Sequence, residues 1–421
     1  MDVLAFTGQG EVTTGFLSRD TWLLFGSRSI RLFAYGLLSV ILALHLAAVG
    51  LSDRQIGLLL SCTLVGDAVI SLFIARFADR IGRRRMLLVG AGLMVLAGIV
   101  FGLTSNPLVL SLVAFVGVLS PTGNEAGPFI AIEQAALAQI TDDRQRTRVF
   151  AWYNLVGSLA TAVGALAGGV VTVELQRWGY SQLHSYRLLF AVYAVLGVAL
   201  GLLFLIASSR VEVVTTQVHG PGLTGLHRSR GLVRNLSGLF FVDSFAGGLV
   251  VQSLLAYWFY LRFGADVATL GQLFFWVHIV AGLSALVAAR LAAQFGLINT
   301  MVFTHIPANV FLLLTPLMPT LTLAMMMCVL RYCLAQMDVP ARHSYLMAVV
   351  ATDERSAAAG MTTFARTAGS ALAPAMTGAF FSAAFLNAPF FLAGGVKIAY
   401  DVALYFCFRD IKPPEEQAPT S

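Results

Sequence analysis

The stretch ARFADRIGRRR, residues 75–85, packs five arginines, an aspartate and a glycine into eleven positions. On either side lie runs that water would not tolerate, 55–75 and 86–104, each close to the ~20 apolar residues needed to span a bilayer. A short, strongly basic turn between two such runs reads as a tight loop at a membrane face. A weaker copy, ARLAAQFG (289–296), stands 214 residues further on. Two more pairs keep nearly the same offset and order: TDDR (141–144) with TDER (352–355), and GALAGG (164–169) with APAMTG (373–378). Three ordered pairs at one spacing read as an internal duplication.

Working outward, the 421 residues are 58% hydrophobic and only 11% charged. Soluble domains carry about 25% charged residues, so the chain is read as an integral membrane protein. Twelve candidate helical spans follow: 22–49, 55–75, 86–104, 107–140, 149–171, 187–208, 235–260, 268–292, 298–316, 320–350, 356–386 and 389–408. The alternating pattern of a membrane barrel is absent, leaving helices. The expected fold is therefore all-α, with twelve transmembrane helices in two pseudo-symmetric halves. The units are a segment 1–20, a six-helix half 21–208, a linker 209–234, a second half 235–408 and a tail 409–421. Residues 1–20 lack the basic start and apolar core of a cleavable leader.

Arginine supplies almost all the positive charge. With the N-terminus inside, the inner face collects Arg19, the 76–85 cluster, Arg144, Arg146, Arg148, Arg210, Arg228, Arg230, Arg234, Arg290, Arg355, Arg366, Arg409 and Lys412, with Arg28 and Arg31 close by. The outer loops hold only Arg54, Arg177, Arg187, Arg262 and, at a helix start, Lys397. This asymmetry puts both termini in the cytoplasm and the chain in the plasma (inner) membrane. The net charge of +6 is distributed between apolar spans, which argues against nucleic acid as a partner. Cys62, Cys328, Cys333 and Cys407 sit in apolar runs without zinc or redox spacing, so neither a metal nor a cofactor is expected.

On these residues the chain resembles the major facilitator superfamily, whose signature loop is G-x-x-x-D-R-x-G-R-R. Asp79, Arg80, Gly82, Arg83 and Arg84 match, and Ala75 replaces the leading glycine. The resemblance implies a gating loop in which Asp79 docks at the N-terminal end of helix 11 in the outward-open state. Arginines that only set topology are the competing reading. The family's antiporter glycine pattern on helix 5 is met in part by Gly164, Gly168 and Gly169, with Ala165 where proline is expected; close helix packing accounts for the same glycines. Helix 4 lacks the arginine found near its start in many drug–proton antiporters.

Ionisable residues deep in a span cost roughly 2.5–3.5 kcal/mol each on insertion scales and mark candidate sites. Helix 4 carries SPTGNEAGPFIAIEQ (120–134), with Asn124, Glu125 and Glu133 among helix-breaking residues; helix 10 carries MDVPARHSY (337–345), with Asp338, Arg342 and His343, and Arg331 upstream. The repeat offset pairs Asp338 with Glu125 and Pro340 with Pro128. Interrupted spans in corresponding places of two halves point to a transporter's central site. Pairing of these acids with Arg331 or Arg342 is the plainer reading. Asp67 on helix 2 is either a proton carrier or a partner of Arg31 or Arg28. Asp243 is expected near the inner interface, and His45, His278 and His305 as hydrogen-bonded packing residues.

The expected function is secondary active transport of a small molecule by alternating access, coupled to protons through Glu125, Glu133, Asp338 or Asp67, with export preferred and the chain acting as a monomer. Uptake of a nutrient, anion or metabolite is the alternative, and a non-transporting sensor or scaffold a remote one. No Walker loop or catalytic set marks an enzyme.

Overall fold

The computed structural model describes residues 19–124, 129–141, 143–206 and 226–411. Fifteen α-helices run through them in the expected order. The first half holds α1 (Arg19–Ala48), α2 (Asp53–Ile81), α3 (Arg83–Leu103), α4 (Pro107–Val116), α5 (Phe129–Ile140), α6 (Asp143–Arg177) and α7 (Gln182–Ile206). The second holds α8 (Arg230–Gly248), α9 (Gln252–Phe263), α10 (Val267–Phe295), α11 (Leu297–Leu314), α12 (Leu321–Ala335), α13 (Asp338–Val349), α14 (Arg355–Ser382) and α15 (Ala388–Phe408). Ten runs of described residues are long and apolar enough to cross a membrane. The fourth expected span is divided into the short helices α4 and α5, and α14 falls outside the ten.

Side chains such as Leu72, Phe73, Leu108, Val195 and Leu202 are more than half exposed on the helix surfaces. An apolar exterior of this kind suits lipid contact and would be an aggregation hazard in water. Polar groups are instead concentrated inside.

Local chemistry sets the helix ends. Asn106 caps α4 by accepting from the N–H of Leu108 at 2.9 Å, with Pro107 at the first helical position. Asp266 does the same for α10 through the N–H of Thr269 at 2.7 Å. Only one residue separates α2 from α3, and only one separates α10 from α11. These are Gly82 (φ 111°) and Gly296 (φ 85°), both in backbone that side chains disfavour. They are the residues that the 214-residue offset aligns, so the duplication is visible in backbone geometry.

The helix 5 glycines serve close packing. A Cβ on Gly164 would lie 2.0 Å from the Phe33 carbonyl oxygen, one on Gly168 2.5 Å from that of Leu37, and one on Gly169 2.5 Å from that of Val267. Helix α6 thereby presses its backbone onto α1 and α10.

Several expectations need correction. The run 235–260 does fall within one apolar span, Arg230–Phe263, but its helix breaks at 249–251 between α8 and α9. It also begins earlier, at Arg230, inside the expected linker. Lys397, expected at an outer helix start, lies mid-way along α15 and is 6% exposed. Arg366, expected on the inner face, lies eleven residues into α14. Arg28 and Arg31 are buried and lie nine and twelve residues into α1, beyond its first turns. In each case burial against a polar partner overrides the bias that positive-inside counting assigns to every arginine and lysine.

Candidate functional site

The broken spans position the site. Residues 117–124 separate α4 from the segment leading to α5, 249–251 separate α8 from α9, and 336–337 separate α12 from α13. The first two breaks meet. The Ser253 N–H donates to the Pro121 carbonyl at 2.9 Å, and its hydroxyl donates to the Ser39 carbonyl at 2.8 Å. The Gln252 amide donates to the Ser39 hydroxyl at 2.8 Å, while its oxygen pairs with His278 Nε2 at 2.9 Å. Further along, the Tyr257 hydroxyl donates to Asp53 at 2.6 Å, and the Ala375 N–H donates to the Ser61 hydroxyl at 2.9 Å. Beside them, Gly57 and Gly378 meet backbone to backbone, where a Cβ on Gly57 would sit 2.4 Å from the Pro374 carbonyl oxygen. Apart from the Gln252–His278 bond, which lies within the second half, these contacts join the two halves towards the end of α2 opposite Gly82.

Behind this seal lie two cavity lobes that share Thr122, Asn124, Gln252, Tyr332, Gln336 and Val339 in their walls. One, of about 390 Å³, is walled mainly by the second half and holds Asp243, His305, Arg331, Asp338, Arg342, Arg366 and Lys397. The other, of about 660 Å³, runs between the halves past Arg28, Gln134, Asn154, His278 and His343. Both fall in the ~300–1,000 Å³ range of small-molecule sites.

Four of the charges in the first lobe form one network. Asp338, the first residue of α13, pairs with Arg342 one turn on at 3.0 Å. The same Arg342 Nη1 lies 3.4 Å from Asp243 on α8, whose other oxygen is 2.5 Å from Lys397 Nζ on α15. Nearby, His305 Nδ1 lies 2.8 Å from Asp401, which also accepts from the Asn309 amide at 3.0 Å. Asp243, expected near the inner interface, is 5% exposed and central to this network. Asp401 and Lys397 went unnoticed as site residues, although two ionisable groups four apart in the apolar run APFFLAGGVKIAYDV (388–402) were a legible signal.

The first half is arranged differently. Glu133 and Arg31 are both fully buried and form a bidentate pair, Nη1 to Oε1 and Nη2 to Oε2, each at 2.7 Å. The Ser27 hydroxyl donates to Oε1 at 2.7 Å, and the Tyr153 hydroxyl donates to Oε2. The Phe129 ring stacks 4.6 Å from the Arg31 guanidinium. Arg31 and Asp67 both lie within electrostatic reach of Tyr193. Asp67 itself is half-buried on α2 and lines neither lobe.

Of the expected site residues, the structure thus gathers Asn124, Arg331, Asp338 and Arg342, and sets Arg31, Glu133 and Asp67 apart. Glu125 and the side chains of Asp79 and Arg80 lie outside the described residues. In the basic loop, Arg84 donates to the Phe204 carbonyl at 2.9 Å and to that of Leu205, capping the C-terminal end of α7. Arg83 donates to Gln139 at 3.0 Å. The three histidines are hydrogen-bonded as expected, with His45 meeting the Phe101 carbonyl at 3.1 Å.

On the far side of the second half, Glu354 lies in the turn before α14 and is 1% exposed. Its carboxylate accepts from the N–H groups of His227, Arg228 at 2.7 Å and Ser229 at 2.8 Å, at the N-terminal end of α8. Burial alone would raise its pKa; these N–H groups and the Ser229 side chain hold it at about 2.

The paired halves, broken spans and central cavity define a transporter architecture. The sequence profile of the Major Facilitator Superfamily matches residues 24–337, and the chain belongs to that family. It is 28% identical over 425 residues to an uncharacterized membrane protein of Saccharomyces cerevisiae, covering 94% of this chain and 95% of the relative. A Na(+), Li(+), K(+)/H(+) antiporter of Planococcus maritimus is 31% identical over 35% of this chain and 32% of its own length. Among solved structures, the nucleoside transporter NupG superposes with a TM-score of 0.72 at 13% identity, covering 93% of this chain and all of that one. A D-xylose–proton symporter gives 0.69 at 15% identity, covering 95% and 99%. Family and fold are those of membrane transporters and not of enzymes.

Proposed function

We propose that the chain is a secondary active transporter that moves a small molecule by alternating access, coupled to protons. The observation that carries this reading is the cavity between the halves, sealed by cross-half hydrogen bonds at the end opposite Gly82. With the arginine-rich end placed in the cytoplasm, this is the inward-facing state, and both termini are cytoplasmic. The boundaries of the two halves and a monomeric chain in a plasma (inner) membrane complete the reading.

Coupling is assigned to Asp338 and Asp243. Arg342 is shared between them, so a proton on Asp338 releases one of its two acceptors. The guanidinium then turns towards Asp243 or towards bound substrate. Glu133 is assigned to holding the first half together, a role supported by the four donors on its two oxygens.

Export is the preferred direction. It draws support from partial-length relatives, the Planococcus antiporter and the multidrug resistance protein MdtL of Klebsiella pneumoniae, the latter 27% identical over 45% of this chain.

The test uses purified protein in liposomes holding a pH-sensitive dye, challenged with a compound panel under gradients of either sign. Substrate-driven proton movement that disappears in Asp338→Asn is the expected result. Accumulation of a labelled substrate without any pH gradient, and with Asp338→Asn unaffected, would remove proton coupling. Flux only down an inward gradient would select uptake.

A further inference from the structure

The two lobes carry more positive than negative charge, and not every cation has an acid. Arg331, Arg342, Arg366 and Lys397 face the smaller lobe with Asp243 and Asp338. Even with Asp401 counted as ionised and its partner His305 as neutral, one positive charge remains among the described residues. Lys397 and Arg342 are spoken for by Asp243 and Asp338. Arg366 makes one hydrogen bond, to the Ser244 hydroxyl at 3.3 Å, with no carboxylate. Arg331 is 7% exposed, its Nε and Nη1 have no hydrogen-bond partner, and its guanidinium lies 4.8 Å from the Tyr332 ring. Buried guanidinium N–H groups left without an acceptor are costly, and the group stays charged whatever the pH. An arriving anion would supply the missing acceptor.

Resting on the transport reading above, we infer that the cargo is a small polar organic anion, whose carboxylate or phosphate group is held by Arg331 and Arg366. The larger lobe receives its uncharged body, since its wall offers neutral hydrogen-bonding groups in Gln134, Asn154, Gln252, His278 and Gln336. Tyr332 and Gln336, common to both lobes, stand where head and body would join. The planar fork of arginine suits both carboxylate and phosphate, so the two anions are separate arms of the test.

Purified full-length protein in detergent is followed by thermal unfolding with benzoate, citrate or glucose 6-phosphate. Controls are glucose and benzamide as neutral compounds and tetraphenylphosphonium as a cation. At least one anion is expected to raise the midpoint of the wild-type protein by several degrees while the neutral and cationic compounds do not. Arg331→Gln and Arg366→Gln should each weaken that anion about tenfold or more. Arg331→Lys, which keeps the charge and loses the fork, should fall between, and serves if the glutamine variant fails to fold. A wild-type midpoint that no anion moves, or anion binding equal in all variants, overturns the assignment. Anion binding without flux in liposomes keeps this site and removes the transport reading. Flux of a neutral or cationic compound with no anion effect does the reverse.

Discussion

Lys397 Nζ on α15 lies 2.5 Å from the Asp243 carboxylate on α8, and the opposite oxygen of that carboxylate faces Arg342 on α13. Three helices of the second half are thus joined through one acid. Asp243→Asn should leave the buried Lys397 without a counter-charge and Arg342 with Asp338 alone, destabilising by about 3–5 kcal/mol. Lys397→Met paired with Asp243→Asn should recover part of that loss. Unfolding of the single and double variants in detergent decides this; additive losses would mean that the two groups do not interact.

Breaking the Arg31–Glu133 pair should harm folding before it harms chemistry. Glu133→Gln leaves a fully buried guanidinium facing a neutral amide and is expected to cost about 3–5 kcal/mol. The surviving folded fraction should still show coupled proton movement. A stable Glu133→Gln protein that has lost only proton coupling would return Glu133 to the mechanism.

The Glu354 anchor predicts a pH window. Its folded pKa of about 2 lies below the ordinary carboxylate value of 4.5. A depressed pKa means stabilisation fully present above 4.5 and lost as pH falls towards 2. The difference in unfolding midpoint between wild type and Glu354→Gln should therefore be constant from neutral pH to about 5 and shrink below it. A difference that changes between pH 6 and 8 would point to another group.

The sealed end depends on backbone approach. Valine at Gly378 would bring its Cβ to 2.5 Å from the Asp53 carbonyl oxygen, so α2 and α14 would have to separate. Gly378→Val should open that end and raise the reactivity of a cysteine placed at Ser39 towards a membrane-impermeant thiol reagent. Unaltered reactivity would show that the seal does not rest on this contact.

The sequence discloses much of the fold for physical reasons. Runs of apolar residues, arginine turns and the 214-residue offset report directly on helices, faces and duplication, as Gly82 and Gly296 show in their shared backbone geometry. The breaks near Pro121 and Asp338 were legible because proline and a carboxylate stand out in an apolar run. The break at 249–251 was marked only by Gly247 and Gly248 before it, and the apolar LVV that follows hid it; Ser253 just beyond bonds to Pro121 and Ser39. Site assignment was harder still. Burial cost is the same for Glu133, locked by Arg31, as for Asp338, open to the cavity, and only three-dimensional pairing separates them. The bonds from Asp243 to Lys397 and from His305 to Asp401 cross 154 and 96 residues, beyond the reach of any local pattern.

The contrast between the halves lies in how their buried acids are held. In the first, the acid of the fourth span is knotted to Arg31, Ser27 and Tyr153, with no acceptor left to exchange. In the second, one arginine hovers between two acids on separate helices. A duplicated chain has in this way kept one bundle whose buried acid is held by four donors and one whose buried acids share a single guanidinium.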